Sequence, residues 1–158
     1  MPDRNPQQQF EAVEELLTRW LKERRLLLGK YTEIVVGMDG LLDRQALDER
    51  QRLLCQLLVD YVSAGHFEVY HQLLEEAESF GDGSSALAEN LMPAIGDTTE
   101  VILAYEEKYG SGNSGALDLE RDLSALGEVL ESRYLLEDRL IAGMHNRHRR
   151  LVETPAQA

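Results

Sequence analysis

Apolar side chains recur at alternating steps of three and four residues along most of this chain. The first such series comprises Phe10, Val13, Leu17, Trp20, Leu27, Tyr31 and Ile34. That spacing places every member on one face of an α-helix, because the helix turns once in about 3.6 residues. We therefore predict a long amphipathic helix over residues 8–36, ended by Gly37 and a turn at Gly40.

The same spacing predicts two helices in the next segment. One begins near Asp43 and ends at Gly65, since a glycine inside a helix costs about 1 kcal/mol relative to alanine and often marks a cap. A third, shorter helix carries the apolar residues of 67–77. Residues 80–85 are rich in glycine and serine, which indicates a loop whose last serines cap the next helix.

Two further helices are predicted in the remaining part of the chain. The fourth covers residues 87–109, with Pro93 marking either a kink or a new helix start, because proline lacks an amide proton. Residues 110–115 read Gly-Ser-Gly-Asn-Ser-Gly and predict a flexible connection. The last helix covers residues 117–149.

Together these segments predict an all-α fold, an antiparallel four-helix bundle of long helices with additional short helices. A chain of 158 residues suits one domain, and we expect residues 8–150 to be ordered and both termini to be frayed. No stretch alternates apolar and polar residues for long enough to indicate a sheet.

The charge of the chain is strongly negative and unevenly distributed. Sixteen Lys and Arg residues against 29 Asp and Glu residues give a formal net charge of −13, which argues against direct binding to nucleic acid. Between Leu53 and Glu107 there are 11 acidic residues and no Lys or Arg. This field would attract a basic partner, and an acidic surface that only aids solubility is the alternative.

Three sequence features bear on the compartment. No apolar run approaches the roughly 20 residues that span a bilayer, so we expect no membrane association. Residues 1–9 are polar and lack the apolar region of a secretory signal. Cys55 is the only cysteine, which excludes an internal disulfide and favours a reducing cytoplasm.

A metal site is the first functional alternative for a helical bundle. Glu68 and His71 have the Glu-x-x-His spacing of di-iron carboxylate bundles, but the second copy that such a centre needs is missing. A hemerythrin-like centre would need more than the four histidines present, of which His145 and His148 lie in a basic tail that we expect to be frayed. We therefore expect no metal and no cofactor, and a metal-binding bundle stays the alternative function.

Motifs for catalysis are weak as well. Ser63 and His66 are three residues apart and could touch, but a serine nucleophile also needs an orienting acid and an oxyanion hole. Residues 110–115 follow a predicted helix, whereas a phosphate-binding loop would follow a strand. We therefore do not expect an enzyme.

Three charged residues occupy positions where the periodicity asks for an apolar side chain. They are Arg24 in the first helix and Arg133 and Glu137 in the last. Arg133 and Glu137 are four residues apart and can pair along their own helix. The three residues lie either at the edge of the apolar seam, since a straight helix drifts from a strict repeat, or on a polar floor open to a ligand.

Four segments of the chain carry a resemblance to a known family. Residues 58–67 read Leu-Val-Asp-Tyr-Val-Ser-Ala-Gly-His-Phe, and further matches lie at residues 19–21, 68–70 and 133–141. In order and spacing these segments closely resemble the regulator of sigma D family, the Rsd/AlgQ anti-sigma factors, over nearly the whole chain. One departure is Thr18, where the family usually places Asp before Arg-Trp-Leu.

The resemblance implies a helical bundle that regulates transcription by binding region 4 of the housekeeping sigma factor. Region 4 is a helix-turn-helix domain that recognises the −35 promoter element and docks on core RNA polymerase. Binding it would block both contacts and leave core enzyme to alternative sigma factors in stationary phase. The AlgQ branch of the family is further associated with control of alginate production.

The resemblance also places the binding residues. Asp60 is the expected carboxylate acceptor for a sigma arginine, and a break at Gly65 would expose Phe67 as an apolar anchor. Core packing for Phe67 and a local cap for His66 are the alternatives. The expected partner-binding residues are Asp60, Ser63, His66, Phe67, Tyr70, Glu137 and Asp138. Of these, Glu137 and Asp138 form a second patch of carboxylate acceptors. The expected supporting residues are Trp20, Arg24, Tyr61 and Arg133.

Overall fold

Helices account for all the regular structure in residues 5–153, the part of the chain that the structure, a computed structural model, describes. The α-helices are α1 Pro6–Val36, α2 Arg44–Ala64, α3 Tyr70–Phe80, α4 Ser85–Tyr109, α5 Leu119–Met144 and α6 Arg149–Glu153. No strand occurs between residues 5 and 153, so the predicted all-α class is confirmed. Over the same residues, no helix is long and apolar enough to cross a membrane.

The boundaries of α1 follow elementary helix rules. The Asn5 side chain accepts a hydrogen bond from Gln8 N at 2.8 Å, and the Gln8 side chain accepts one from Asn5 N at 3.2 Å, which forms a capping box. Pro6 occupies the first helical position, where its missing amide proton costs nothing. A turn over residues 37–41 follows α1, and the backbone leaves the helical region within it, because Gly40 adopts a φ of 91°, which favours glycine.

The predicted end of the second helix at Gly65 is confirmed, since α2 ends at Ala64, but the expected break in the chain is wrong, because the chain stays helical there. Gly65 has φ −57° and ψ −53°, and one turn of π-helix, Gly65–Val69, joins α2 directly to α3. Close packing explains the glycine: a Cβ atom at this position would lie 3.0 Å from Trp20 Cζ2 and 3.2 Å from the Tyr70 hydroxyl. Single π-helical turns inside longer helices are frequent at functional sites.

The four long helices, α1, α2, α4 and α5, share one core. α1 packs on α2 and α3, while α4 packs on α2 and α5. The largest fully buried side chains include Trp20, Leu27, Tyr61, Ile102, Tyr109 and Leu126. α4 runs without interruption through Pro93, which excludes the new helix start that the sequence allowed.

The carboxyl-terminal part of the structure departs from the predicted single helix. α5 ends at Met144, and a turn of 3-10 helix, Asn146–His148, leads into the short α6. The change of direction occurs at His145, whose φ of −133° and ψ of −61° lie outside the helical region.

The expectation of a frayed tail at the last two histidines is also wrong. His145 and His148 are completely buried. The His145 ring stacks on Phe10 and the His148 ring on Phe80, and both rings contact the carboxylate of Glu76. These contacts join segments that are distant in the sequence, so the local basic composition gave no sign of them.

Candidate functional site

The charged residues on the helical seams meet inside the molecule. Arg133 Nε lies 3.0 Å from Glu137 Oε2, and each of these residues is 1% exposed. The predicted pairing along α5 is therefore confirmed. Placement at the edge of the seam, the first of the two alternatives, is wrong for both residues.

Glu137 accepts hydrogen bonds from four different side chains. Tyr61 donates to Oε1 at 2.5 Å and Arg24 at 3.1 Å, while Tyr70 donates to Oε2 at 2.7 Å and Arg133 at 3.0 Å. A carboxylate offers about four lone-pair positions, so its acceptor capacity is filled. These hydrogen bonds offset the free-energy cost of burying the negative charge of Glu137.

Arg133 extends this network to α4. Its Nη1 donates to Thr98 Oγ1 at 3.0 Å and to Thr99 Oγ1 at 2.7 Å, and its Nη2 donates to the Tyr70 hydroxyl at 2.9 Å. Neither threonine is among the site residues that the sequence predicts. A polar residue at Thr98, within the apolar stripe of α4, was the available signal.

Arg24 and Trp20 connect α1 to this network through hydrogen bonds and ring stacking. Arg24 Nε donates to the Tyr61 hydroxyl at 3.1 Å, and Nη1 contacts exposed Asp138 at 2.7 Å. The Trp20 ring stacks on Tyr61 with centroids 4.6 Å apart, and its indole donates to the Tyr61 carbonyl at 3.2 Å. The network thus links α1, α2, α3, α4 and α5.

The two phenols at Glu137 remain protonated donors over the physiological range. Burial, and then the nearby Glu137 carboxylate, raise the pKa of Tyr61 and Tyr70 far above the usual tyrosine range. A protonated phenol donates to the carboxylate, whereas an ionised one would repel it. The network therefore keeps its hydrogen bonds at neutral pH.

Phe67 is on the surface, at the π-helical turn between α2 and α3. It is 74% exposed, and the His66 ring meets it edge-on with centroids 4.7 Å apart. Core packing, the alternative for Phe67, is therefore wrong. An exposed phenylalanine of this size is costly to hydrate, which is typical of an interaction surface.

A groove of about 460 Å³ lies beside Phe67, between the α2–α3 segment and α4. Its lining includes Ser63, His66, Phe67 and Tyr70, with Arg133 and Thr99 also reaching it. Four of the expected partner-binding residues thus share one groove. Most of the lining surface is apolar, so the polar groups are few and localised.

The remaining three expected binding residues are placed differently. Asp60 is exposed on α2 and accepts a hydrogen bond from Gln56 Nε2 at 3.1 Å. Asp138 is exposed and paired with Arg24, whereas Glu137 lies beneath the surface with its oxygens already occupied. Glu137 therefore connects to the groove through Tyr70 and Arg133.

A cluster of three acids, Glu23, Asp60 and Glu68, lies where α1 faces the α2–α3 segment. Partial burial raises the pKa of Glu23, and the negative charges of Asp60 and Glu68 raise it further, against a lowering by Arg19. Glu23 and Glu68 are not among the binding residues that the sequence predicts. Nothing in the periodicity indicates that α1 brings a carboxylate to Asp60.

The metal alternative is not favoured by the geometry. Glu68 and His71 are both exposed, and His71 Nε2 contacts Glu75 at 3.0 Å instead of a second ligand pair. Over residues 5–153, no group of three or more His, Cys, Asp or Glu side chains is arranged to hold a metal ion.

Comparison with known proteins identifies the family. The sequence model described as Regulator of RNA polymerase sigma(70) subunit, Rsd/AlgQ, matches residues 3–145. The chain belongs to this family. The resemblance seen in the sequence is thereby confirmed, and the Rsd/AlgQ match includes Asp60, Phe67 and the Arg133–Glu137 pair.

Individual Rsd/AlgQ relatives agree with this assignment. A protein named Regulator of sigma D from Yersinia enterocolitica is 30% identical over 142 residues, which cover 85% of this chain and 83% of the relative. Proteins of the same name from Salmonella arizonae and Salmonella newport are each 36% identical over 135 residues, with 80% of both chains covered. No solved structure matches the chain.

Proposed function

We propose that this protein is an anti-sigma factor that binds region 4 of the housekeeping RNA polymerase sigma factor. Occupying region 4 would prevent recognition of the −35 element and docking on core polymerase, and would leave core enzyme to alternative sigma factors. The observation that carries the proposal is the match of residues 3–145 to a family described as regulating the sigma(70) subunit. The proposed site of action is the cytoplasm, where the polymerase is.

The charge of the exposed surface supports a basic partner. A helix-turn-helix domain grips DNA phosphates with Arg and Lys side chains, so a protein that covers it benefits from carboxylates. Glu23, Asp60 and Glu68 form such a cluster, in which Arg19 of α1 is a basic neighbour of Glu23, and no Lys or Arg occurs between residues 53 and 107. Complementary charge speeds the encounter and fixes the orientation of the complex.

The groove beside Phe67 supplies the apolar part of the proposed interface. Phe67 stands 74% exposed at its rim and would lose contact with water when a helix of the partner covers it. Aromatic side chains that become buried at the centre of an interface often carry much of the binding free energy. Ser63 and His66 on the same rim are available for hydrogen bonds.

The buried network supports this surface from below. Glu137 and Arg133 fix Tyr70 at the base of the groove, and Arg24 fixes Tyr61 next to Asp60 in α2. A surface held in place before binding loses less conformational entropy when the complex forms. Short connections from α1 to α2, from α3 to α4 and from α4 to α5 also support an antiparallel arrangement of the bundle.

The test is complex formation between the purified protein and three forms of sigma: full-length, lacking region 4, and region 4 alone. Gel filtration at physiological salt should give one complex peak with the first and third forms, and separate peaks with the second. Raising the salt should weaken the complex, because charged surface groups are screened. Separate elution of all three forms at micromolar concentrations would overturn the proposal, and a complex with the truncated form would exclude region 4 as the site.

A further inference from the structure

An open cavity of about 510 Å³ lies beside the carboxyl-terminal end of α1, and we call it the α1 cavity. It is lined by α1, by the turn that follows α1 and by the first half of α2. None of its lining residues lines the groove beside Phe67. Arg50 of the α1 cavity and Val62 of the groove are 12 residues apart on α2, which is about 18 Å along a helix, so the two sites are separate.

The walls of the α1 cavity are mostly apolar. Val36 and Leu41 line it and are exposed to solvent. Leu42 lies against the end of α1, because a Cβ atom added at Gly37 would be 2.6 Å from Leu42 Cδ1. A cavity of this size with exposed apolar walls is typical of a binding site for a small apolar or amphipathic molecule.

Two residues of α1 keep the cavity open and free of polar competitors. A Cβ atom added at Gly29 would meet no heavy atom within 4 Å, so the cavity extends up to the backbone of α1. The Thr32 hydroxyl also lies in the lining, but it donates to the Leu28 carbonyl at 2.9 Å and is thus engaged within its own helix.

The charged residues of the lining are Glu33 and Arg50. Lys30 Nζ lies 3.4 Å from Glu33 Oε2, so α1 itself supplies a cation for this carboxylate. Arg50 Nε is 3.9 Å from the same oxygen, which is too far for a hydrogen bond. This Nε is shielded from solvent, and no acceptor within residues 5–153 forms a hydrogen bond with it. Because an unsatisfied buried donor is costly, a ligand that brings an acceptor to Arg50 is favoured.

The charge and chemistry of the lining restrict the class of ligand. One guanidinium beside an apolar surface matches a single carboxylate on an apolar chain, since arginine can hold a carboxylate through paired hydrogen bonds. A phosphate group carries nearly two negative charges, and Glu33 would repel it more strongly. The net charge of −13 opposes any anion, but charges more than roughly 8 Å away are largely screened at physiological salt.

We propose that the α1 cavity binds a free medium-chain fatty acid. The alkyl chain lies against Val36, Leu41 and Leu42, and the carboxylate accepts hydrogen bonds from Arg50. Glu33 then pairs with Lys30 alone, which removes the like charge from the ligand. The site is independent of the proposed binding of sigma, because no residue of the groove takes part.

The test is calorimetric titration of the full chain with sodium decanoate and with decanol, each kept below the concentration at which it aggregates. The wild type should bind decanoate at least tenfold more tightly than decanol, which lacks the carboxylate. Affinity should also rise roughly fourfold for each methylene added from octanoate to decanoate, because each methylene leaves water.

The first variant separates the carboxylate contact from the apolar contact. Arg50→Gln should bind decanoate at least tenfold more weakly and decanol as the wild type does. Arg121→Gln is the matched control, since it removes the same charge from an exposed position on α5 and should leave both affinities unchanged. Unchanged decanoate affinity in Arg50→Gln, or no binding of decanoate by the wild type, would overturn the proposal.

The second variant locates the ligand. Gly29→Met places a side chain in the α1 cavity and should abolish binding of both molecules, while methionine favours the helix more than glycine does. Retained binding in Gly29→Met would place decanoate elsewhere and overturn the proposal. Sedimentation that shows a dimer of the wild type and a monomer of Gly29→Met would also overturn it, because a second copy of this chain would then occupy the cavity.

Discussion

Arg133 and Glu137 form an ion pair with an Nε–Oε2 distance of 3.0 Å in the interior of the protein, one helical turn apart on α5. Removing two charges from water costs several kcal/mol per ion, so the pair is acceptable only with further partners. Here Glu137 also accepts hydrogen bonds from Arg24, Tyr61 and Tyr70. Arg133 also donates hydrogen bonds to Tyr70 and to two threonines of α4. The stability of the network therefore depends on every member being present.

Replacing the central carboxylate should be strongly destabilising. Glu137→Gln removes the negative charge that Arg24 and Arg133 share, and we expect a loss of about 3 to 5 kcal/mol in the free energy of unfolding. Asp138→Asn is the matched control: its side chain is 57% exposed and its pairing with Arg24 should be worth less than about 1 kcal/mol. Urea denaturation of both variants tests this. Equal losses in the free energy of unfolding for the two variants would show that the contribution of Glu137 to stability does not depend on its burial.

Ionisation of the tyrosines should be suppressed until the protein unfolds. Burial raises the pKa of all six: Tyr31, Tyr61, Tyr70, Tyr105, Tyr109 and Tyr134. The pKa of Tyr109 is raised to about 12. Because the folded state keeps protons that the unfolded state loses near about pH 10, stability should fall as pH rises above that value.

Alkaline titration provides the measurement for the tyrosines. Tyrosinate absorbance should stay low near about pH 10 and then rise together with the loss of helical circular dichroism, in one cooperative transition. A gradual rise of tyrosinate absorbance near about pH 10 with the helical signal intact would contradict the prediction.

The apolar periodicity predicted the long helices because the residues on the buried face of one helix are near one another in the sequence. The whole apolar series of α1 is buried except for half-buried Tyr31, and the charged seam residues pointed to the Arg133–Glu137 pair. Gly65 was interpreted wrongly because a glycine that caps a helix and one that allows close packing look alike in sequence. The Trp20 ring that decides between them comes from α1.

The same limit explains the error at the two carboxyl-terminal histidines. Their partner Glu76 is separated from His145 by 69 residues and from His148 by 72. The local sequence around them is basic and polar, so only the three-dimensional arrangement could indicate burial. Glu23 was missed for the same reason, since its proximity to Asp60 depends on how α1 lies against α2.

The thiol of Cys55 should be unreactive in the folded protein. Burial, and then the charge of Glu106, raise the pKa of Cys55 to about 12, so almost no thiolate is present at neutral pH. A water-soluble disulfide reagent should label less than a tenth of the native protein in the time that labels all of the urea-unfolded protein. Rapid stoichiometric labelling of the native protein would contradict the buried position.

Phe67→Ala should weaken sigma binding without affecting the fold. The ring is mostly exposed, so its loss should change the free energy of unfolding by less than about 0.5 kcal/mol. An aromatic anchor at an interface commonly contributes about 2 kcal/mol or more to binding. Leu117→Ala is the control, since Leu117 is a fully exposed apolar residue between α4 and α5, away from the groove. Calorimetric titration with region 4 should separate the two variants, and equal affinities would exclude Phe67 as an anchor.

Asp60→Ala distinguishes a binding carboxylate from a structural one. Asp60 accepts a single side-chain hydrogen bond, from Gln56, and its charge contributes to the raised pKa of Glu23. The variant should therefore unfold within about 1 kcal/mol of the wild type, because removing Asp60 also relieves repulsion. If Asp60 accepts a sigma arginine, affinity should fall by about 2 to 5 kcal/mol, much of it from the guanidinium left unpaired.

The control for Asp60 is Asp97→Ala, which removes an exposed acid from α4 and so makes the same change in net charge. Its affinity for region 4 should stay within about threefold of the wild type, since a charge away from the contact acts mainly through screened long-range attraction. Affinity and melting temperature must be measured on the same sample of each variant. A large drop in melting temperature with unchanged affinity would show that Asp60 supports the fold and that the binding surface lies elsewhere. Equal losses of affinity in the two variants would mean that overall charge, and not a contact at Asp60, attracts sigma.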